Sequence, residues 1–203
     1  MVTVSVTRGK ALKLFATPVI MDELRGAEAL NAELEQLILA HQAKVPGYQR
    51  SNRGGWQSPH DFPKWGGAPG QTLIRNALAL AGDYTAGPSK AAVGWRFDAW
   101  ANVNESGDFN MPHVHSASFW SVIYFVRVGD GEGGQLVLHD PRMPGLRMHA
   151  PHLRFNGVGQ EDRVEIEPKP GLMVLIPAWL LHSVEPWRGS GKRISVAMNI
   201  RAK

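Results

Sequence analysis

The chain has 203 residues, a formal charge of +4 and an ordinary share of apolar residues, which suits a single domain, residues 1–203, with a hydrophobic core that needs no covalent staples. It contains no cysteine, so disulfides, thiolate metal sites and a cysteine nucleophile are excluded, and metal ligands must come from histidine, carboxylate or carbonyl groups. The basic residues are scattered, which argues against a nucleic-acid stripe; no run approaches the ~18 apolar residues of a membrane span, and the start lacks a signal-peptide pattern, so the expected compartment is the cytoplasm.

In chain order, residues 11–20, ALKLFATPVI, form an apolar run broken by Pro18, which predicts an edge strand or an extended arm. Residues 21–45 carry Leu24, Leu30, Leu34, Leu37 and Leu39 at helical spacing, with Asp22 and Glu23 early. They predict an amphipathic helix in which Gly26 marks a break. Residues 46–70 are rich in glycine and proline and predict a long loop holding Trp56 and Trp65. Such loops often cover binding sites, and their tryptophans serve equally as core plugs. QTLIRNALALAGDY, residues 71–84, predicts a second helix with Leu73, Ala77, Leu80 and Ala81 on one face. From about residue 90, short apolar runs alternate with Gly-rich turns, the pattern of a sandwich or barrel. Helices first and strands later make the class α+β. Residues 1–89 are expected to form an N-terminal arm, helices and a Trp-containing loop, and residues 90–203 a β core.

Eight histidines are present. His41 lies late in the first helix, where a cation suits the dipole; His60, His149 and His152 fall in Pro-rich loops; His139 ends a strand. In MPHVHSASFW, residues 111–120, an extended backbone points His113 and His115 the same way, roughly 7 Å apart at ~3.3 Å per residue. That separation suits two ligands of one metal ion, and equally two unrelated surface histidines. In PKPGLMVLIPAWLLHSVEPW, a Pro170-Gly171 turn opens a buried strand, Leu172–Ile176, which Pro177 closes. A bend then delivers His182 to the start of the next strand, and in a small barrel strand starts converge on the mouth, where ligand sites lie. Eleven residues on, Arg193 is expected beside His182 across a strand pair. A buried guanidinium there is costly unless a carboxylate meets it, as an acidic co-substrate would. Asn102 and Asn104 share a strand face, as orienting groups or as turn residues. Arg142 reads as a structural ion pair or a contact to an anionic substrate, and Trp100 and Trp120 as core.

Taken together, LFATPV, SNRGGWQS, AWANVNESGDFNMPHVHSASFWSVIYFV, LHDPR, and PGLMVLIPAWLLHSVEPW followed by KRISVAMNI make nearly the whole chain resemble the 2-oxoglutarate- and Fe(II)-dependent oxygenases. The resemblance implies a double-stranded β-helix (a cupin-like jelly roll) with the N-terminal helices packed against it. It implies Fe(II) and 2-oxoglutarate as cofactor and co-substrate, His113 and His182 as iron ligands, and Arg193 as the clamp on the distal carboxylate of 2-oxoglutarate. Ser195 and Tyr124 would assist Arg193, although core packing explains Tyr124 as well, and Asn102 would orient substrate or a ligand. One departure stands out. The superfamily usually binds iron with two histidines and one carboxylate, and here His115 fills the carboxylate's slot. His115 is expected as the third ligand, with a carboxylate from Asp108 or Asp140, or water, as alternatives.

The implied reaction is a dioxygenase hydroxylation of an unidentified small-molecule or peptide substrate. Two other functions fit the residues: a three-histidine cupin-type dioxygenase or isomerase that does not use 2-oxoglutarate, and a non-catalytic metal-stabilised jelly roll that binds a ligand. The arm and an exposed sheet edge also leave room for a homodimer.

Overall fold

A computed structural model describes residues 15–87, 94–142, 152, 153, 155 and 161–203; residues 11–14 of the expected arm, 90–93 of the expected core, and His149 lie outside these. The N-terminal part begins with strand β1 (Ile20–Glu23) and helix α1 (Ala27–Gln42). The helix therefore starts later than its leucine spacing suggests, because Ile20–Glu23 pair with Leu172–Leu175 as an edge strand. Gly26 makes the break by adopting φ 67° at the N-cap, a conformation that costs glycine nothing. Strands β2 (Asn52–Arg53) and β3 (Trp56–Gln57) and the single turn α2 (Phe62–Trp65) follow, then helix α3 (Gly67–Asp83). The expected long loop is thus pinned to both sheets by two-residue strands, which are too short to show any period in sequence. Both of its tryptophans serve the helical side. Trp56 Nε1 donates to the Val45 carbonyl at 2.9 Å, and Trp65 stacks on His41 with centroids 3.9 Å apart.

The remaining strands are β4 (Trp95–Asn104), β5 (Phe109–His113), β6 (Trp120–Arg127), β7 (Leu136–His139), β8 (Arg163–Ile166), β9 (Leu172–Pro177), β10 (His182–Val184) and β11 (Arg193–Ala202). One sheet has the order β1-β9-β6-β11-β4-β3 and the other β2-β5-β10-β7-β8. From β4 onward the chain keeps switching sheets: β4, β6, β9 and β11 lie in the first, β5, β7, β8 and β10 in the second. That winding is the double-stranded β-helix, a jelly roll.

Period-two alternation then sorts the side chains. On β11, Ile194, Val196, Met198 and Ile200 face the helices with Leu34, Ile38, Leu73 and Ala77. Ile123 and Phe125 of β6, with Val174 and Ile176 of the neighbouring β9, face the opposite sheet and its Leu136 and Leu138. The protein is therefore layered as helices, first sheet, second sheet, with an apolar core in each gap. Truncating one of the fully buried leucines or isoleucines, such as Leu34 or Ile38, costs ~2–5 kcal/mol. The inner core fills only part of the space between the sheets; polar side chains line the rest. Among the described residues, no helix is long and apolar enough to cross a membrane.

Candidate metal centre

The space left between the sheets is a cavity of about 330 Å³, at the small end of the ~300–1,000 Å³ typical of ligand sites. Two neighbouring strands of the second sheet present the first pair of histidines, since His182 sits opposite His113 in the β5–β10 register. Their rings are 4.3 Å apart. His115 lies just beyond β5, where its backbone N–H donates to the Ala178 carbonyl at 2.9 Å. That bond ties the chain to the bend before His182 and brings the His115 ring 5.1 Å from His113 and 5.0 Å from His182.

Each of the three offers a nitrogen within 4.8 Å of the other two. Three nitrogens bonded to one ion at ~2.1 Å stand about 3–3.6 Å from one another, so ring rotations that move the nitrogens by roughly an ångström close the set on one ion. The tautomers suit that role. His113 Nδ1 is 2.7 Å from the Met111 carbonyl and His182 Nδ1 is 2.8 Å from the Leu180 carbonyl. A carbonyl only accepts, so each Nδ1 carries the proton and each Nε2 keeps its lone pair. The Nε2 atoms of His115 and His182 are 3.2 Å apart, a separation that a shared cation satisfies.

The site also keeps its imidazoles neutral. Burial lowers the His113 pKa from its ordinary value, against the raising effect of the Met111 bond. Burial, then the His113 charge, brings His115 to about 4, and the same causes bring the more deeply buried His182 to about 3. Neutral imidazole is the form that binds a metal, so near neutral pH no proton has to leave.

Neither carboxylate alternative reaches the histidines. Asp108 Oδ2 accepts from the Glu105 N–H at 2.7 Å and closes its own turn. Asp140 is held by Arg142, through the backbone N–H and Nε at 2.9 Å and Nη2 at 2.7 Å; these hydrogen bonds hold its carboxyl below the ordinary range. Arg142 is accordingly a structural ion pair and not part of the cavity wall. Among the described residues, His113, His115 and His182 form the one group of potential metal ligands this close.

Arg193 lies in the first sheet, opposite Asn104 on β4. It is not the strand-pair neighbour of His182 that the sequence suggests, because the chain changes sheet between β10 and β11. Both still face the cavity. Arg193 is 2 % exposed. Its Nε donates to the Gly134 carbonyl at 3.0 Å, its Nη1 is 3.5 Å from Asn104 Oδ1, and its guanidinium lies 5.1 Å from the Phe125 ring centre. Among the described residues no carboxylate meets it, and its Nη2 is buried without a partner. Burial alone pulls its pKa from 12.5 to about 10. Gly134 permits this placement. It adopts φ 69°, and a Cβ there would lie 2.8 Å from Arg193 Cδ.

Ser195 and Asn102 line the same cavity. Tyr124 does not. It lies on the alternate face of β6, within the helix-side core, and its hydroxyl donates to Asn31 Oδ1 of α1 at 2.7 Å. Burial pushes its pKa up to about 12. Its expected role beside Arg193 is therefore corrected to one of packing. Trp120 is core, as read, and its Nε1 donates to Thr85 at 2.8 Å. Trp100 is instead a cavity wall, stacked on His60 at 4.2 Å and 5.7 Å from the His115 ring.

Sequence reasoning passed over His60, Gln57, Asp98 and Asn199. The signal was present in DAWANVN, where polar or aromatic residues occupy every even position from 98 to 104. Asp98 gathers His60 Nδ1 at 2.9 Å, Asn199 Nδ2 at 3.2 Å and the Arg201 guanidinium. Burial raises its pKa, but the bonds and charges of His60 and Arg201 outweigh that and hold it below its ordinary value.

Comparison with known proteins adds a family. The sequence profile described as "Putative 2OG-Fe(II) oxygenase" matches residues 98–199, half of the chain. No curated protein sequence matches. Among solved structures, a prolyl hydroxylase from Trichoplax adhaerens in complex with a peptide fragment of the hypoxia inducible factor oxygen degradation domain superimposes with TM-score 0.66 at 14 % identity, over 90 % of this chain and 83 % of that one. HygX from Streptomyces hygroscopicus, with nickel and 2-oxoglutarate bound, gives 0.61 at 12 % identity over 91 % and 83 %. A Pseudomonas putida prolyl-4-hydroxylase gives 0.58 at 14 % over 92 % and 94 %. The structural neighbours share the fold, and the profile match takes in the three histidines and Arg193; this chain belongs to the 2OG-Fe(II) oxygenase family, which works with Fe(II) and 2-oxoglutarate.

Proposed function

We propose that the chain is a dioxygenase that couples oxidative decarboxylation of 2-oxoglutarate to hydroxylation of a C–H bond in a small molecule or a short stretch of peptide. His113, His115 and His182 would hold Fe(II), which when bound supplies O₂ activation. Arg193 binds the distal carboxylate of 2-oxoglutarate and fixes its direction, since a planar guanidinium pairs with a carboxylate through two parallel hydrogen bonds. Ser195 and Asn102 line the passage between Arg193 and the histidines and orient the co-substrate. Phe125, against the guanidinium, keeps water from it, which strengthens its pairing. The relatives support both substrate classes, one being complexed with a peptide and HygX also having been seen with hygromycin B bound.

The observation that carries this reading is the buried, unpartnered Nη2 of Arg193 in the same cavity as three neutral imidazoles. A cupin-type enzyme or a non-catalytic binding module leaves that buried cation without an anion wherever its own ligand is uncharged. The test is incubation with Fe(II), 2-oxoglutarate and ¹⁸O₂. Succinate carrying one ¹⁸O is expected from the wild type and is expected to be lost in His182→Ala. Labelled succinate no more abundant than in a protein-free Fe(II) control overturns the proposal.

A further inference from the structure

The cavity has two chemically different ends, and the position of the histidines divides them. On β11, the residues facing inward are Arg193, Ser195, Ala197 and Asn199. Trp100, which flanks His115, lies opposite Ala197 in the ladder, while Asn104 lies opposite Arg193 and Asp98 opposite Asn199. At ~3.3 Å per residue, the level of the histidines is about 13 Å along the strand from Arg193 and about 7 Å from Asn199. The Arg193 end suits the co-substrate. The Asn199 end has no part in that chemistry, yet it is equally well built.

Asn199 is 7 % exposed, and its Oδ1 is buried with no hydrogen-bond partner among the described residues. The orientation of its amide is fixed, because Nδ2 lies 3.2 Å from Asp98 Oδ2 and a carboxylate accepts only; the carbonyl oxygen must take the other side. His60 is set by the same carboxylate. Its Nδ1 is 2.9 Å from Asp98 Oδ2 and its ring lies flat on Trp100, so Nδ1 donates to the carboxylate, and Nε2 faces the Gln57 amide nitrogen, which can only donate, and so stands as an acceptor. Gln57 approaches that Nε2 only at 3.5 Å. Two acceptors are thus held rigidly beside the histidines, one of them buried and unsatisfied. A buried acceptor in that state selects strongly for a ligand that donates to it.

The charge pattern narrows the class further. Among the described residues no carboxylate lines the cavity, and the charge of Asp98 behind it is already matched by Arg201. An ammonium ion would enter without a counter-charge, and an anion would meet acceptor atoms. We infer that Asn199 and His60 form the subsite for the oxidised substrate, and that they recognise a neutral hydrogen-bond donor, an amide N–H or a hydroxyl, close to the carbon presented to the metal. Asp98 is the positioning residue that orients both acceptors. This subsite rests on the dioxygenase reading, because it takes the Arg193 end as filled by 2-oxoglutarate.

The test uses NMR titration of the full chain loaded with Zn(II) and 2-oxoglutarate. Two neutral probe pairs differ in donor capacity: N-methylacetamide against N,N-dimethylacetamide, and glycerol against 1,2,3-trimethoxypropane. The donor-bearing member of one pair is expected to bind at least tenfold more tightly, with shifts at the His60 ring and the Asn199 side-chain amide. The pair that discriminates assigns amide or hydroxyl. Asn199→Leu and His60→Phe, checked for native backbone spectra, are expected to abolish the tenfold difference while leaving 2-oxoglutarate bound. Equal affinity within both pairs, including no binding by any probe, overturns the inference, as does discrimination that survives both substitutions. Failure of 2-oxoglutarate itself to bind would instead count against the dioxygenase reading, which separates the two outcomes.

Discussion

Replacing Arg193 by methionine should reverse the order of stability between wild type and variant, depending on whether 2-oxoglutarate is present. Burial moves the guanidinium pKa from 12.5 to about 10, which at ~1.4 kcal/mol per pH unit is a cost of about 3 kcal/mol for keeping the charge inside. Against that stand the hydrogen bond to the Gly134 carbonyl at 3.0 Å, worth ~1.5 kcal/mol for a charged donor, and the contact with Phe125, worth ~0.5–1 kcal/mol. Methionine fills similar space without a charge, so the unliganded variant should be the more stable by about 1 kcal/mol, or ~2–4 °C in Tm for a chain of this size. Adding 2-oxoglutarate with Zn(II) at a hundred times its Kd should then stabilise the wild type by ~2.7 kcal/mol and leave the variant with only the effect of the metal. Differential scanning fluorimetry with and without 2-oxoglutarate reads both halves. A variant destabilised by more than 2 °C without ligand, or stabilised by 2-oxoglutarate as much as the wild type is, refutes the view of Arg193 as a buried cation awaiting an anion.

Other substitutions test neighbouring parts of the account. Gly134→Ala places a methyl against Arg193 Cδ at a backbone φ of 69° and should raise the KM for 2-oxoglutarate at least tenfold while leaving metal affinity, measured by calorimetry, unchanged; equal losses of both would contradict it. Tyr124→Phe removes only the bond to Asn31. It should cost ~0.5–1.5 kcal/mol by urea denaturation and leave the KM for 2-oxoglutarate within twofold, whereas a large rise would return Tyr124 to the site. The pH dependence of the metal-free protein has a definite sign. His115 and His182 are depressed from 6.5 to about 4 and about 3, so between those values and 6.5 the unfolded chain binds more protons than the folded one. Their contribution to stability is complete above pH 6.5 and is lost as pH falls towards 4. A His115→Asn, His182→Gln double variant should show a shallower decline of Tm over that window, and parallel declines would sink the assignment.

Much of this architecture was legible because its signals are periodic. The strands from residue 95 onward alternate with glycine turns, and the leucines of α1 and residues 73–81 of α3 mark their buried faces. The histidines at 113, 115 and 182 were legible for a different reason, since the first two stand just ahead of the apolar strand β6 and the third follows the apolar strand β9, where a polar ring needs a purpose. What resisted reading was contact across sheets. Tyr124 looked available to Arg193 because sequence does not say which face of β6 turns inward, and in a strand as uniformly buried as WSVIYFVR both faces are apolar. The partner strand of Arg193 was misread because the chain changes sheet between β10 and β11. His60 and Gln57 were passed over in a Gly- and Pro-rich stretch; they join the cavity only because Trp56–Gln57 pairs with Asn102–Val103 of β4.

The central claim is that one metal ion and one 2-oxoglutarate share this cavity, held by three histidines and Arg193. Anaerobic absorption titration tests it most directly. A visible charge-transfer band should appear only when Fe(II) and 2-oxoglutarate are both present, saturate at one iron per chain, vanish in each of His113→Ala, His115→Ala and His182→Ala, and require far more 2-oxoglutarate in Arg193→Met. A wild type that forms no such band, or a band that survives the loss of His182, would contradict it.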